Sequence, residues 1–71
     1  MPLTMAPNGV QTRVKKINGR DETKRFLENL GFTEGAVLTV ISELGGNMII
    51  NIKDTRIAID KTMANRIIVE Q

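Results

Sequence analysis

The sequence predicts one mainly β domain over residues 1–71, with five short strands, one helix after the first strand and a helical turn before the last. Three features carry this prediction: apolar and polar residues alternate from Val10 to Val14, a helical pattern ends at Gly31, and a glycine pair, Gly45-Gly46, separates two β-branched runs. Alternation is typical of a half-buried strand, a glycine commonly ends a helix, and a glycine pair favours a tight hairpin.

The first strand follows a turn at Pro7-Asn8-Gly9, where proline fixes φ and the next two residues tolerate positive φ. Its inward face is expected to carry Val10, Thr12 and Val14. Ile17 lies on the opposite phase, which predicts a bulge or a strand end near Lys16.

The helix is expected to begin at Asp21, a favoured N-cap residue. Its apolar face, predicted to be buried against the sheet, consists of Thr23, Phe26, Leu27 and Leu30. Gly31 then fits the left-handed position after a helix, with Leu27 and Phe32 placed to make the hydrophobic contact of a Schellman ending. Gly35 allows a second tight turn before the next strand.

A long strand from Ala36 is expected to bend at Ser42. The strand after the glycine pair should point Met48, Ile50 and Ile52 inward. The turn that follows includes Asp54, which tolerates a left-handed backbone, and β-branched Thr55, which does not, so a turn longer than or different from the usual type I′ is expected.

Asp60 is placed to cap one helical turn, with Met63 and Ala64 pointing inward, and Ile67–Val69 forms the last strand. Five short strands with this order of elements describe a small, strongly bent barrel of the SH3-like kind.

Composition excludes most site chemistry. The chain has no His and no Cys, which removes the commonest general base, the commonest transition-metal ligand and every thiolate. We therefore expect no enzyme activity. Ten Lys and Arg against eight Asp and Glu give a net charge of +2, and only two aromatic residues are present, so nucleic-acid binding is not favoured. Without a signal-like or membrane-spanning segment, a cytoplasmic protein that does not insert into the membrane is expected.

Two sets of surface residues are candidate sites. Asp54 and Asp60 are weak candidates for Fe²⁺ or Mn²⁺, because carboxylate oxygens bind such ions, although turn and cap roles explain both residues better. No cofactor is required. Partner contacts are expected around the two hairpins, at Glu43, Leu44, Asn47, Ile49, Lys53 and Arg56. Ile49 is included because it is apolar on the polar phase of its strand.

Together these motifs resemble the FeoA family, small cytosolic ferrous-iron transport proteins of bacteria with an SH3-like fold that also occurs as the C-terminal domain of DtxR-type repressors. The opening is similar at Leu3 and Ala6-Pro7-Asn8-Gly9, and the ending at Arg56-Ile57-Ala58-Ile59, Ile67 and Val69. The signature positions are Gly19, Arg25, Leu27, Leu30, Gly31, Phe32, Gly35 and Ala64. Glu34 and Asp54-Thr55 depart from residues common in the family, and both departures concern turns.

The resemblance implies a non-enzymatic accessory of ferrous iron uptake that binds the cytosolic G-protein domain of the FeoB permease and modulates transport. Two alternatives remain open: a regulatory module that responds to Fe²⁺ or Mn²⁺, and, more weakly, a small barrel that binds nucleic acid. Exposed strand edges in so small a domain also allow weak homo-oligomers.

Overall fold

The computed structural model describes residues 1–19 and 21–71 and confirms the predicted class and order of elements. A 3₁₀ turn, Leu3–Met5, precedes the first strand. The strands are β1 (Gln11–Ile17), β2 (Val37–Leu44), β3 (Asn47–Ile52), β4 (Thr55–Asp60) and β5 (Ile67–Glu70), and the helices are α1 (Glu22–Leu30) and α2 (Lys61–Ala64).

The strands form one antiparallel sheet in the order β4-β3-β2-β1-β5, so β4 and β5 lie at its edges. The pairing of β1 with β5 shifts between Val14 and Lys16, which confirms the predicted bulge. The pairing of β2 with β3 shifts between Val40 and Ser42, next to the predicted bend. Bulges of this kind increase the local twist and bend a strand, so the sheet curves around its own core.

Alternate residues of the strands fill this core. Met48, Ile50 and Ile52 are buried as predicted. Val10 is exposed, contrary to the prediction, because β1 begins one residue later and Val10 precedes the ladder. The remaining buried apolar residues are Leu3, Ala6, Val14, Ile17, Leu27, Phe32, Leu38, Val40, Ile59, Ala64, Ile67 and Val69.

Both ends of α1 agree with the sequence. The Asp21 carboxylate accepts a hydrogen bond from the Lys24 backbone N–H at 3.4 Å. At the other end Gly31 has φ 114°, and the N–H groups of Gly31 and Phe32 donate to the carbonyls of Glu28 and Leu27 at 3.0 and 3.1 Å. These are the two bonds of a Schellman motif.

The prediction that Phe26 is buried is wrong, because Phe26 is 48% exposed. Leu27 is fully buried and Leu30 is half-buried. Successive helical residues point about 100° apart, so a nine-residue helix that directs Leu27 at the core turns Phe26 towards solvent.

The turn between β3 and β4 also differs from the prediction. Its two central residues are Lys53 and Asp54, with φ of 51° and 61°, so it is a two-residue turn with the positive φ values of type I′. Thr55 lies in β4 opposite Ile52 and needs no left-handed backbone.

The N-terminal residues lie along the outer edge of β5. The Met1 ammonium donates to the Val69 carbonyl at 2.9 Å, the Val69 N–H donates to the Met1 carbonyl at 2.7 Å, and Pro2 forms a bridge with Ile68. No helix formed by the described residues combines the length and apolar character that crossing a bilayer takes.

Candidate partner-binding surface

The tip of the β2–β3 hairpin presents a large apolar side chain to solvent. Gly45 and Gly46 form the turn with φ of 59° and 83°, values that glycine adopts without strain. Leu44 and Asn47 face each other across this turn. Leu44 is 74% exposed, so its apolar side chain is available to another molecule.

A row of uncharged residues, two of them apolar, continues from this tip along the face of the sheet that points away from the core, here called the outer face. It is formed by the cross-strand neighbours Ser42, Ile49 and Ala58. Ile41 lies in the β2 bulge, next to core residue Val40, and is 38% exposed. Ile49 is half-buried.

Ile41 was not predicted as a contact residue from the sequence. Its position in the strand could have revealed it. Leu38 and Val40 are buried, so Ile41 falls on the alternate phase, which faces solvent. An apolar residue on the polar phase of a strand is the same signal that singled out Ile49.

The six predicted contact residues fall into two groups. Glu43, Leu44, Asn47 and Ile49 lie at or near the β2–β3 hairpin. Lys53 and Arg56 lie at or near the β3–β4 turn, at the other end of β3. Six residues of strand span about 20 Å, so a partner that touches both groups must cover the length of β3.

The charged members of these groups are in different states. Glu43 forms a salt bridge with Lys61, with 3.1 Å between Oε2 and Nζ, so its charge is already partnered within the domain. The aliphatic part of the Lys53 side chain lies over Gly31. Among the described residues Arg56 has no salt-bridge partner, which leaves its guanidinium available.

The two candidate metal ligands lie at opposite ends of β4. Asp60 uses Oδ1 to accept a hydrogen bond from the Met63 N–H at 2.8 Å and thereby caps α2, as predicted. Asp54 is a turn residue. The described residues contain no group of three or more His, Cys, Asp or Glu side chains that could hold a metal ion. Metal binding by either aspartate stays a prediction, but the two carboxylates do not form one shared site.

Comparison with protein families identifies the chain. The FeoA domain matches residues 1–71. The chain belongs to the FeoA domain family. "Putative Fe(2+) transport protein A" of Methanocaldococcus jannaschii is 36% identical over 69 residues, which cover 97% of this chain and 84% of that protein.

Solved structures show the same fold. A crystal structure of an iron uptake regulatory protein, FeoA, superimposes with a TM-score of 0.90 at 30% identity and covers 99% of this FeoA domain and 95% of that chain. The zinc complex of Stenotrophomonas maltophilia FeoA, described as an SH3 domain protein, gives 0.86 at 25% identity, with 99% and 89% covered. T. acidophilum IdeR shares the fold over 33% of its length, with a TM-score of 0.87 at 20% identity and 99% of this domain covered.

The signature positions of this FeoA domain have mainly structural roles. Leu27, Phe32 and Ala64 are fully buried, and Gly31 and Gly35 have positive φ. Leu30 is half-buried against the core, while Arg25 is exposed on α1.

Gly19 makes room for an ion pair that the sequence did not predict. A Cβ at Gly19 would lie 2.9 Å from Nη1 of Arg66. That Nη1 donates a hydrogen bond of 2.7 Å to the Asp21 carboxylate. The Arg66 hydrogen bond lowers the pKa of Asp21 below its usual range. The N-cap of α1 is thus tied to the loop before β5, and Asp21 pairs with Arg66 where a helical pair with Arg25 would be the local alternative.

Proposed function

We propose that this chain is a non-enzymatic, cytoplasmic accessory protein of ferrous iron uptake that binds the cytosolic G-protein region of a FeoB permease and modulates transport or nucleotide turnover. The observation that carries the proposal is the match of the whole chain to the FeoA domain family, with a relative named for Fe(2+) transport. The residue types support a binding role, since the chain has no His or Cys to supply nucleophilic or general-base chemistry.

The tip of the β2–β3 hairpin is the part of the surface best suited to this contact. Leu44 offers an exposed apolar anchor, and Ile41 and Ile49 extend it along the outer face. Buried apolar anchors surrounded by polar residues commonly dominate the binding energy of an interface. We therefore assign the first contact to Leu44, with Asn47 beside it.

Isothermal titration calorimetry against the cytosolic FeoB region, without nucleotide and with GDP or a non-hydrolysable GTP analogue, tests the function. Binding in at least one nucleotide state is expected. Absence of heat and of complex by gel filtration in all three states would overturn the proposal.

A pair of truncations tests the surface. Leu44→Ala should weaken binding roughly 10-fold, because most of the burial energy of one leucine is lost. Met5→Ala is the matched control, since Met5 is 70% exposed on the N-terminal 3₁₀ turn, which is not part of the hairpin. Equal affinities for Leu44→Ala and wild type would remove the hairpin tip from the interface and leave the binding function in place.

A further inference from the structure

The β4 edge of the sheet carries backbone groups that have no partner among the described residues. In the β3–β4 hairpin Ile52 and Thr55 flank the two-residue turn and form a hydrogen-bonded pair. Hydrogen-bonded and non-bonded pairs alternate along an antiparallel ladder. The N–H and C=O groups of Arg56 and Ala58 therefore point away from β3, and no described strand lies on that side.

The two edges of the sheet differ in this respect. The β5 edge is covered in part by Met1 and Pro2, whereas β4 is a regular six-residue strand without proline or a bulge. A regular strand with unpaired N–H and C=O groups is a template for pairing with another strand.

We propose that two copies of this chain associate through their β4 strands, which pair antiparallel about a two-fold axis at Ala58. In this register Arg56 of each copy lies opposite Asp60 of the second copy, and each copy contributes the same two residues. Opposite charges directly across an antiparallel pair stabilise it. The inference does not rest on the permease contact proposed above.

Charge selects this register over its neighbours. Pairing must place residues whose backbone groups point away from β3 opposite each other. The alternative registers are therefore reached by sliding one strand past the other by two residues. One neighbouring register sets Asp54 against Asp60 of the second copy and so opposes like charges, which destabilises a strand pair. The other sets Ala58 against Asp60 and Arg56 against Thr62, which lies in α2, so the Arg56–Asp60 pairs are lost.

The side chains present are compatible with the contact. Ala58 is small and exposed, so two copies can approach at the axis. Asp60 uses one carboxylate oxygen, Oδ1, for the α2 cap, which leaves the other for Arg56 of the second copy. Ile57, which is half-buried, would lie opposite Ile59 of the second copy and lose further contact with water.

Sedimentation equilibrium over a roughly hundred-fold range of protein concentration tests self-association, because the dimer fraction must rise by mass action. Arg56→Glu should raise the dimer dissociation constant by about 10-fold or more, since two attractive pairs become repulsive. Arg13→Glu, an exposed arginine in β1, is the matched control and should leave the constant within about twofold. Thermal melts of each variant confirm that it is folded.

Amide hydrogen exchange locates the contact. The N–H groups of Arg56 and Ala58 should exchange fast in dilute protein and become protected as concentration rises. A protein that stays monomeric over the whole range would overturn the proposal. So would association in which those two amides remain unprotected, or in which Arg13→Glu weakens the dimer as much as Arg56→Glu.

Discussion

Replacement of Gly31 by alanine tests the structural basis of the helix-to-strand connection. Gly31 has φ 114° and ψ 0°, beyond the left-handed region that L-residues visit. A Cβ there costs about 1–2 kcal/mol in backbone strain. It would also lie 3.4 Å from Cδ of Lys53, a contact that the flexible lysine relieves by a small shift. We expect Gly31→Ala to lower the free energy of unfolding by about 1–2 kcal/mol, or the melting temperature by roughly 4–16 °C.

Chemical denaturation followed by circular dichroism measures this change, and two further variants separate strain from contact. Gly35 has φ 86°, and no atom lies within 4 Å of a Cβ added there, so Gly35→Ala reports backbone strain alone. Lys53→Ala in the Gly31→Ala background removes the contact. Strain predicts that Gly35→Ala is also destabilising and that Lys53→Ala gives no rescue. Wild-type stability of Gly31→Ala, or full rescue by Lys53→Ala, would refute the backbone explanation.

Three further changes test the ends and the core of the helices. Leu27→Ala should lower the free energy of unfolding by about 2–5 kcal/mol, because it opens a cavity in the core. Phe26→Ala, at an exposed position, should change it by less than about 0.5 kcal/mol, and urea unfolding curves distinguish the two variants. Asp60→Ala should lower stability by about 0.5–2 kcal/mol through the lost α2 cap, and Asp60→Asn should retain most of it. Because Arg66 lowers the pKa of Asp21 in the folded state, the stability it contributes is present above the unfolded pKa of about 3.9 and is lost as pH falls through the folded value. The melting temperature of wild type should therefore fall more steeply than that of Asp21→Asn as the pH is lowered from 4. Parallel curves of melting temperature against pH would contradict this.

The connection from α1 to β2 was predictable because its determinants are local. A Schellman ending involves backbone groups a few residues apart and one hydrophobic contact, and Leu27, Gly31 and Phe32 lie close together in sequence. The N-caps at Asp21 and Asp60 are equally local, and the structure confirms both.

The β3–β4 turn could have been predicted correctly from a stricter use of phase. Ile50 and Ile52 on one strand and Ile57 and Ile59 on the next must face the same core, which requires an even number of loop residues. Thr55 cannot adopt positive φ easily, so a two-residue loop has to end at Asp54. Lysine at positive φ is uncommon, and propensity alone therefore points away from the turn that forms.

The exposure of Phe26 could not be predicted, because a helical pattern gives the direction of the apolar face and leaves open how much of it the sheet covers. The Asp21–Arg66 pair was missed for a related reason. It joins residues 45 positions apart, a separation at which local sequence patterns carry no pairing signal. Partner-binding residues are less predictable still, since their identity depends on a surface that is not part of this chain.

Arg56 connects the two proposed interactions. It belongs to the predicted partner-contact residues, and in the proposed dimer it lies opposite Asp60 of the second copy. Leu44 lies at the β2–β3 tip, on a strand that does not border β4. A permease contact confined to the tip is therefore compatible with the dimer, whereas one that includes Arg56 competes with it. Competition for one surface makes the apparent affinity of the permease fall as the chain becomes more concentrated. If the permease contact includes Arg56, Arg56→Glu abolishes this concentration dependence only if it also prevents the dimer. The permease affinity and the dimer dissociation constant, both measured on this variant, therefore decide whether the β4 edge binds one partner or two.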